Sequence, residues 1–384
     1  MYRVMLLLNS YCYRLRLGLM VFFCLWATIL WGQQAQAGFG IEANASAGRI
    51  FKHTAKLKGP IPPLSAVTDI NFVWKTYGKA AWQQRRSYPT LGLGFTYSYY
   101  DKNIYGQSFA IYPNLALPLI QRNKWEWTIR FGMSLGYVTK RSTAYAPYWD
   151  TLNYAVGAHV NNFSLLSSDL RYHLNQHWDV QAGLTFTHMS SAKFRLPNLG
   201  INFIGGHIGF RYFPNTANPN KIYRPLNPLS NRFLLQFRQG IAMSTGQSAG
   251  SAATPVYLSS LYLSKRYWSK NKVFVGIDYS YHQGIYDFLR IQGIDVGNER
   301  KYAWKSGIYI GHEFLYGRAG LLMQLGYYIH QAYLSNPPIY QKLGINWYIK
   351  QSETGTIKEI CLSTLLKTHY ATAELAELGI GIGL

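Results

Sequence analysis

Residues 125–137 read Trp125-Glu126-Trp127-Thr128-Ile129-Arg130-Phe131-Gly132-Met133-Ser134-Leu135-Gly136-Tyr137. Every odd position is large and apolar, and every even position is polar or glycine. Side chains that swap sides at each step have the period of a β-strand, not the 3.6-residue period of a helix. The scheme recurs along the chain. Leu91, Leu93, Phe95, Tyr97 and Tyr99 alternate with Gly92, Gly94, Thr96 and Ser98. Val273, Val275, Ile277, Tyr279 and Tyr281 alternate with Phe274, Gly276, Asp278, Ser280 and His282. Ala319, Leu321, Met323, Leu325 and Tyr327 repeat it, and the chain ends on Leu378, Ile380, Ile382 and Leu384 interleaved with Glu377, Gly379, Gly381 and Gly383.

A soluble sandwich also alternates, but three details favour a barrel in a membrane. The runs are often near the ~9–11 residues that cross a tilted bilayer, against ~5–6 for ordinary strands. Aromatic residues gather near run ends, as interfacial girdles do. The last strand finishes at the C-terminus and resembles the terminal assembly signal of bacterial outer-membrane barrels, although Leu384 stands where an aromatic is usual. The expected fold is therefore all-β: an antiparallel transmembrane β-barrel of the bacterial outer membrane with about 14–16 strands. Its apolar face meets lipid, its glycine and polar face meets the lumen, and closure satisfies the backbone.

Composition agrees. Among 384 residues, charged types are 14% and aromatics 16%, with 35 Gly and 32 Tyr, which excludes a disordered chain. A mean hydropathy of −0.10, with no run near ~20 apolar residues past the N-terminal segment, excludes a bundle of spanning helices. Residues 1–37 have the layout of a secretory signal: Arg3, Arg14 and Arg16, an apolar stretch from Leu17 to Trp31, and the Ala35-Gln36-Ala37 cleavage motif. Its removal takes Cys12 and Cys24 with it and leaves Cys361 alone, so neither an intramolecular disulfide nor a zinc-thiolate site is expected.

About eight strands fall within residues 38–213, and the rest within 231–384. Between them, residues 214–230 are rich in Pro and Asn and cannot be a strand interior. This connection could separate two small barrels or form one loop of a larger one. A single barrel is preferred, because two would each have to assemble independently.

The most informative stretch is 179–212. Val180, Ala182, Leu184 and Phe186 mark the lipid-facing phase, and His188 and Ser190 continue it. On the returning strand, Asn202 is in phase with Ile204, Gly206, Ile208, Phe210 and Tyr212. A hairpin closed across 191–200 sets Asn202 nearly opposite His188 and Ser190, at roughly 5 Å. Polar side chains aimed at lipid are costly. They suit either the membrane–water border or a serine hydrolase site, with Ser190 as nucleophile, His188 as base and Asn202 orienting the imidazole.

The segment His188-Met189-Ser190-Ser191-Ala192-Lys193-Phe194-Arg195-Leu196-Pro197-Asn198-Leu199-Gly200-Ile201-Asn202 resembles the signature of the outer-membrane lipid A 3-O-deacylases, the PagL-like family. That signature is H-x-S-N-A followed by P-N-x-G-I-E. The resemblance covers residues 38–213 at most and implies an eight-stranded barrel with a lipid-facing Ser-His-Glu triad that hydrolyses an acyl ester of lipopolysaccharide. It assigns Ser190 as nucleophile and His188 as base, with Asn198 in the oxyanion hole. Two positions depart from it. Asn202 replaces the acid, and Ser191 replaces the asparagine after the nucleophile, a second oxyanion donor. An amide orients histidine but lends it no charge, and the acid-to-amide change costs about 10⁴ in kcat in a serine protease triad. Asp169 points to the lumen by phase, and Asp179 lies far down the strand. Asp150 is the remaining candidate acid.

The expected function is an outer-membrane serine esterase that removes an ester-linked acyl chain from lipid A or lipopolysaccharide, weakened by Asn202. The alternative is a non-catalytic pore or structural barrel. No cofactor, metal or nucleic acid is expected. The partners are the glycolipid, the outer membrane and its barrel-assembly machinery. The net charge of +22 suits a phosphorylated glycolipid leaflet, with Lys140, Arg141, Lys193 and Arg195 in loops at the cell surface. Arg85 and Arg86, in the long loop between the second and third strands, run against that orientation.

Other signals are weaker. Gly246-Gln247-Ser248-Ala249-Gly250 fits G-x-S-x-G but is followed by a loop of small residues rather than a helix. His173 and His177 bracket a strand-to-strand turn, not a helical metal site. His282 and Gly284 faintly echo His188 and Ser190, hinting at a duplicated eight-strand unit, with His282 expected in the lumen.

Overall fold

The computed structural model describes residues 37–101, 103–142, 152–191, 195–217, 219–226, 230–245, 253–333, 337–370 and 372–384. Residues 1–36 of the expected signal, Asp150, Lys193 and the 246–250 motif lie outside the described residues.

The alternating runs are strands. The first eight are β1 (Phe39–Ile50), β2 (Ser65–Lys75), β3 (Thr90–Asp101), β4 (Gly106–Gln121), β5 (Trp125–Val138), β6 (Val160–His173), β7 (Trp178–Ser190) and β8 (Ile201–Tyr212). The second eight are β9 (Phe233–Thr245), β10 (Ala253–Tyr267), β11 (Asn271–His282), β12 (Trp304–Tyr316), β13 (Ala319–Gln331), β14 (Ile339–Gln351), β15 (Glu359–His369) and β16 (Thr372–Gly383). Each pairs antiparallel with its neighbours, β8 returns to β1 and β16 returns to β9.

The expected single barrel is therefore corrected to two closed barrels of eight strands each. The reason is where the edges go. β8 gives its free edge to β1, from Ile41 opposite Tyr212 to Ile50 opposite Phe203, so nothing remains for β9 to join. Independent closure leaves neither barrel with an unpaired edge in hydrocarbon, where backbone groups have no other partner.

The lumen side chains match this narrower bore, because an eight-stranded interior is just wide enough for side chains to fill. In the first barrel, Arg130 reaches Glu42 at 3.3 Å and Asp69 at 2.8 Å, and Arg171 reaches Glu42 at 3.3 Å and Glu126 at 2.8 Å. Toward the rim where β7 ends, Tyr100, Tyr112, Phe163, Met189, Ile201 and Phe203 form an apolar plug. In the second barrel, Lys342 joins Asp278 at 3.1 Å to Glu377 at 3.0 Å, and Lys272 joins Glu359 at 2.7 Å. Outward positions such as Leu135, Leu184, Ile208, Ile310 and Ile329 are exposed, giving both barrels an apolar coat for lipid.

The long β2–β3 loop lies at the rim opposite the end of β7 and carries a short helix, α1 (Ala81–Arg85). Here the two barrels meet. Arg86 donates from Nε to the Leu315 carbonyl at 3.1 Å, and from Nη2 to the Lys270 carbonyl and to Asn271 Oδ1, the latter at 3.1 Å. Its guanidinium sits 4.6 Å from the Tyr316 ring centre, and Phe131 and Trp82 also pack on Tyr316. The connection follows the same loop, with Arg224 donating to the Gly78 and Lys79 carbonyls. The basic loop that ran against the expected orientation is thus part of a seam between barrels.

Candidate active site

On β7 the outward phase of Val180, Leu184 and Phe186 continues into His188 and Ser190. The register sets Asn202 of β8 opposite His188, with Ser164 and Asn162 of β6 opposite His188 and Ser190. Although Ser190 and Asn202 point outward, they are only 4% and 6% exposed. Rim segments fold over them. Val156 bridges to Asn198, the Gly200 amide donates to the Ala155 carbonyl, and the Phe51 amide donates to the Asn202 carbonyl.

His188 Nε2 lies 2.9 Å from Ser190 Oγ, and His188 Nδ1 lies 2.6 Å from Asn202 Oδ1. An amide oxygen can only accept, so Nδ1 carries the imidazole proton and Nε2 turns a lone pair to the serine hydroxyl. That is the tautomer a general base needs. Gly200 makes room for the ring. Its φ is +80°, in the left-handed region, and a Cβ there would lie 2.9 Å from His188 Cε1.

The sequence-predicted residues thus divide into two groups. His188, Ser190 and Asn202 form one chain of hydrogen bonds. Asn198 and Ser191 form another, in which Asn198 Oδ1 accepts from the Ser191 amide at 2.7 Å and from its hydroxyl at 3.0 Å. The Ser191 hydroxyl also reaches the Arg195 carbonyl at 2.9 Å. Both donors of Ser191 are therefore engaged within the loop, a departure from the expected second oxyanion donor.

Neither described acid supplies the missing carboxylate. Asp169 is inside the lumen, 3.1 Å from His207 Nε2, and Asp179 is held by Arg211 at 2.6 Å and His173 at 2.7 Å. His177 Nδ1 instead bonds the Phe213 carbonyl, so the two histidines of that turn have separate partners. Among the described residues no cluster of three metal-ligating side chains occurs. His282 faces the second lumen, 3.1 Å from Ser280 Oγ, as its phase predicted.

Sequence reasoning missed His53, whose Nδ1 lies 2.7 Å from Asn202 Nδ2 across 149 positions of chain. It also passed over Asn162 and Ser164. The phase that put Asp169 inside would have placed both outside.

A closed barrel with a buried polar chain on its lipid-facing wall defines a class, the outer-membrane β-barrels that carry their chemistry outside the lumen. Within that class the chain is similar to the PagL lipid A deacylases and acyloxyacyl hydrolases, with one family model matching in each barrel. A family model described as lipid A 3-O-deacylase (PagL) matches residues 68–211. A second, described as acyloxyacyl hydrolase, C-terminal domain, matches residues 235–384. Each barrel thus has its own match within a family of outer-membrane enzymes. The crystal structure of the outer membrane enzyme PagL is 14% identical, covering 44% of this chain and 97% of that one, with a TM-score of 0.31. A mutant of Rh. blastica porin is 10% identical, covering 90% of this chain and 99% of that one, with a TM-score of 0.19. No curated protein matches the chain in sequence.

Proposed function

We propose that this outer-membrane protein is a serine esterase that removes an ester-linked acyl chain from lipid A or lipopolysaccharide. The observation that carries the reading is the 2.9 Å approach of His188 Nε2 to Ser190 Oγ on the lipid-facing wall. His188 takes the hydroxyl proton as Ser190 Oγ attacks the ester carbonyl. The Asn198 amide nitrogen stabilises the oxyanion as the tetrahedral centre forms. Collapse expels the sugar alkoxide, which receives the proton from His188. Water, activated by the same imidazole, then hydrolyses the acyl-serine and releases the fatty acid. Asn202 holds the ring but leaves the imidazolium without a countercharge, so the rate falls below that of a full triad.

The surroundings support a phosphorylated substrate. Among the described residues, the loops on the site's rim of the first barrel carry Lys52, Lys56, Lys58, Lys140, Arg141 and Arg195 against a single acid, Asp101. On this reading the rim lies at the cell surface, beside glycolipid phosphates. Filled lumens in both barrels argue against a conducting pore. The test compares lipid A masses from cells expressing wild type and Ser190→Ala. Loss of one acyl chain only with wild type is expected. Identical masses, with both proteins assembled, would overturn the reading.

A further inference from the structure

We propose that His53 is a positioning residue that makes the amide of Asn202 serviceable in the place of an acid. The proposal rests on the esterase reading and concerns the weak point of that site. A carboxylate accepts from histidine through either oxygen, so it has no wrong way round. An amide does. With Oδ1 toward His188, the imidazole keeps its proton on Nδ1 and its lone pair on Nε2, facing Ser190. With the amide turned over, Nδ2 would donate to His188 Nδ1. The imidazole proton would move to Nε2, against the very hydroxyl it has to deprotonate. One flip therefore separates a base from a spectator.

His53 biases that flip. Asn202 Nδ2 lies 2.7 Å from His53 Nδ1, and because an amide nitrogen only donates, His53 Nδ1 is the acceptor and its own proton sits on Nε2. That is the tautomer a free imidazole prefers. The resulting order is His53, Asn202, His188, Ser190, each donor facing an acceptor, with contacts of 2.7, 2.6 and 2.9 Å. The backbone sets His53 there. Past Ile50, the Phe51 amide donates to the Asn202 carbonyl at 2.7 Å, so the chain of β1 runs on beside the start of β8. Four residues after His53, the fully buried Leu57 anchors the segment in the apolar plug.

The test uses the full chain in detergent micelles with four variants: His53→Ala, His53→Gln, Asn202→Glu, and His53→Ala combined with Asn202→Glu. Removing one orienting hydrogen bond is expected to lower kcat by about tenfold in His53→Ala, with KM little changed. His53→Gln restores a carbonyl acceptor and should recover most of the loss. With Asn202→Glu in place, where no orientation is wrong, His53→Ala should cost less than about twofold. Nitrogen-15 NMR of His188 reads the tautomer without turnover, with Nδ1 protonated in wild type and a mixture in His53→Ala. Unchanged kcat and tautomer in His53→Ala, or an equal loss in both backgrounds, would overturn the proposal. Absence of any hydrolysis by wild type would sink the esterase reading instead, while the tautomer measurement would still decide the role of His53.

Discussion

The two barrels share strand number, connectivity and a salt-bridged interior, yet their seventh strands place a histidine on opposite sides of the wall. In the seventh strand of the first, β7, His188 is outward and its Nε2 lies 2.9 Å from Ser190 Oγ. In the seventh strand of the second, β15, His369 is inward, its Nε2 2.9 Å from Glu374 within a cluster that also holds Lys367 at 3.4 Å. The β15 residue beside His369 on the outer face is Thr368, and the exposed Tyr370 follows in the turn. Because side chains alternate with a period of two, a shift of one residue carries an imidazole from lipid to lumen. Outside, it faces the lipid side of the wall; inside, it lies within hydrogen-bond distance of a carboxylate.

Removing each histidine should break this symmetry most plainly. His188→Ala is expected to reduce deacylation by about 10⁴-fold or more, whereas His369→Ala should leave it intact, as time courses of lipid A mass would show. The interiors come next. Arg130→Met leaves the buried Asp69 of the first barrel without its cation and should cost about 3–5 kcal/mol in urea unfolding from micelles. Arg238→Met in the second should cost less, because its partner Glu377 keeps Lys342 at 3.0 Å.

Two glycines at positive φ sharpen the contrast further. Gly200→Ala drives a methyl group toward His188 and should lower the rate by about 10²-fold while the barrel still folds. Gly293, with φ +62°, ends the helix Gln283–Gln292 of the second barrel, and a methyl group there would meet no atom within 4 Å. Gly293→Ala should therefore cost only about 1 kcal/mol of backbone strain and no activity. The smallest effect is expected at the seam. Arg86→Ala should speed proteolysis within 214–230 several-fold, roughly the loss of one or two hydrogen bonds, with deacylation unchanged.

Much of this was legible in the chain. Alternation in Trp125–Tyr137 and its repeats marked the strands and their outer face, and the phase of His188, Ser190 and Asn202 put them together on it. Closure was not legible, because which edges join depends on geometry summed around a ring rather than on any strand's own pattern. Pro- and Asn-rich residues 214–230 fit either topology. His53 was invisible for a related reason. It lies past the end of β1, where no period constrains it, and it meets Asn202 only because β1 and β8 close the ring. The seam role of Arg86 was hidden too, since a basic loop reads the same whether it faces phosphate, water or a second barrel.

The seam also decides what can reach the His188–Ser190 pair. Contacts with the second barrel are made by β5, through Phe131, and by the β2–β3 loop. The panel from β6 to β8 stays uncovered, with Leu184 64% and Ile208 71% exposed below the histidine. A hydrocarbon tail drifting in the plane of the leaflet therefore has an open gangway up that panel, and neither cylinder has to be threaded to arrive.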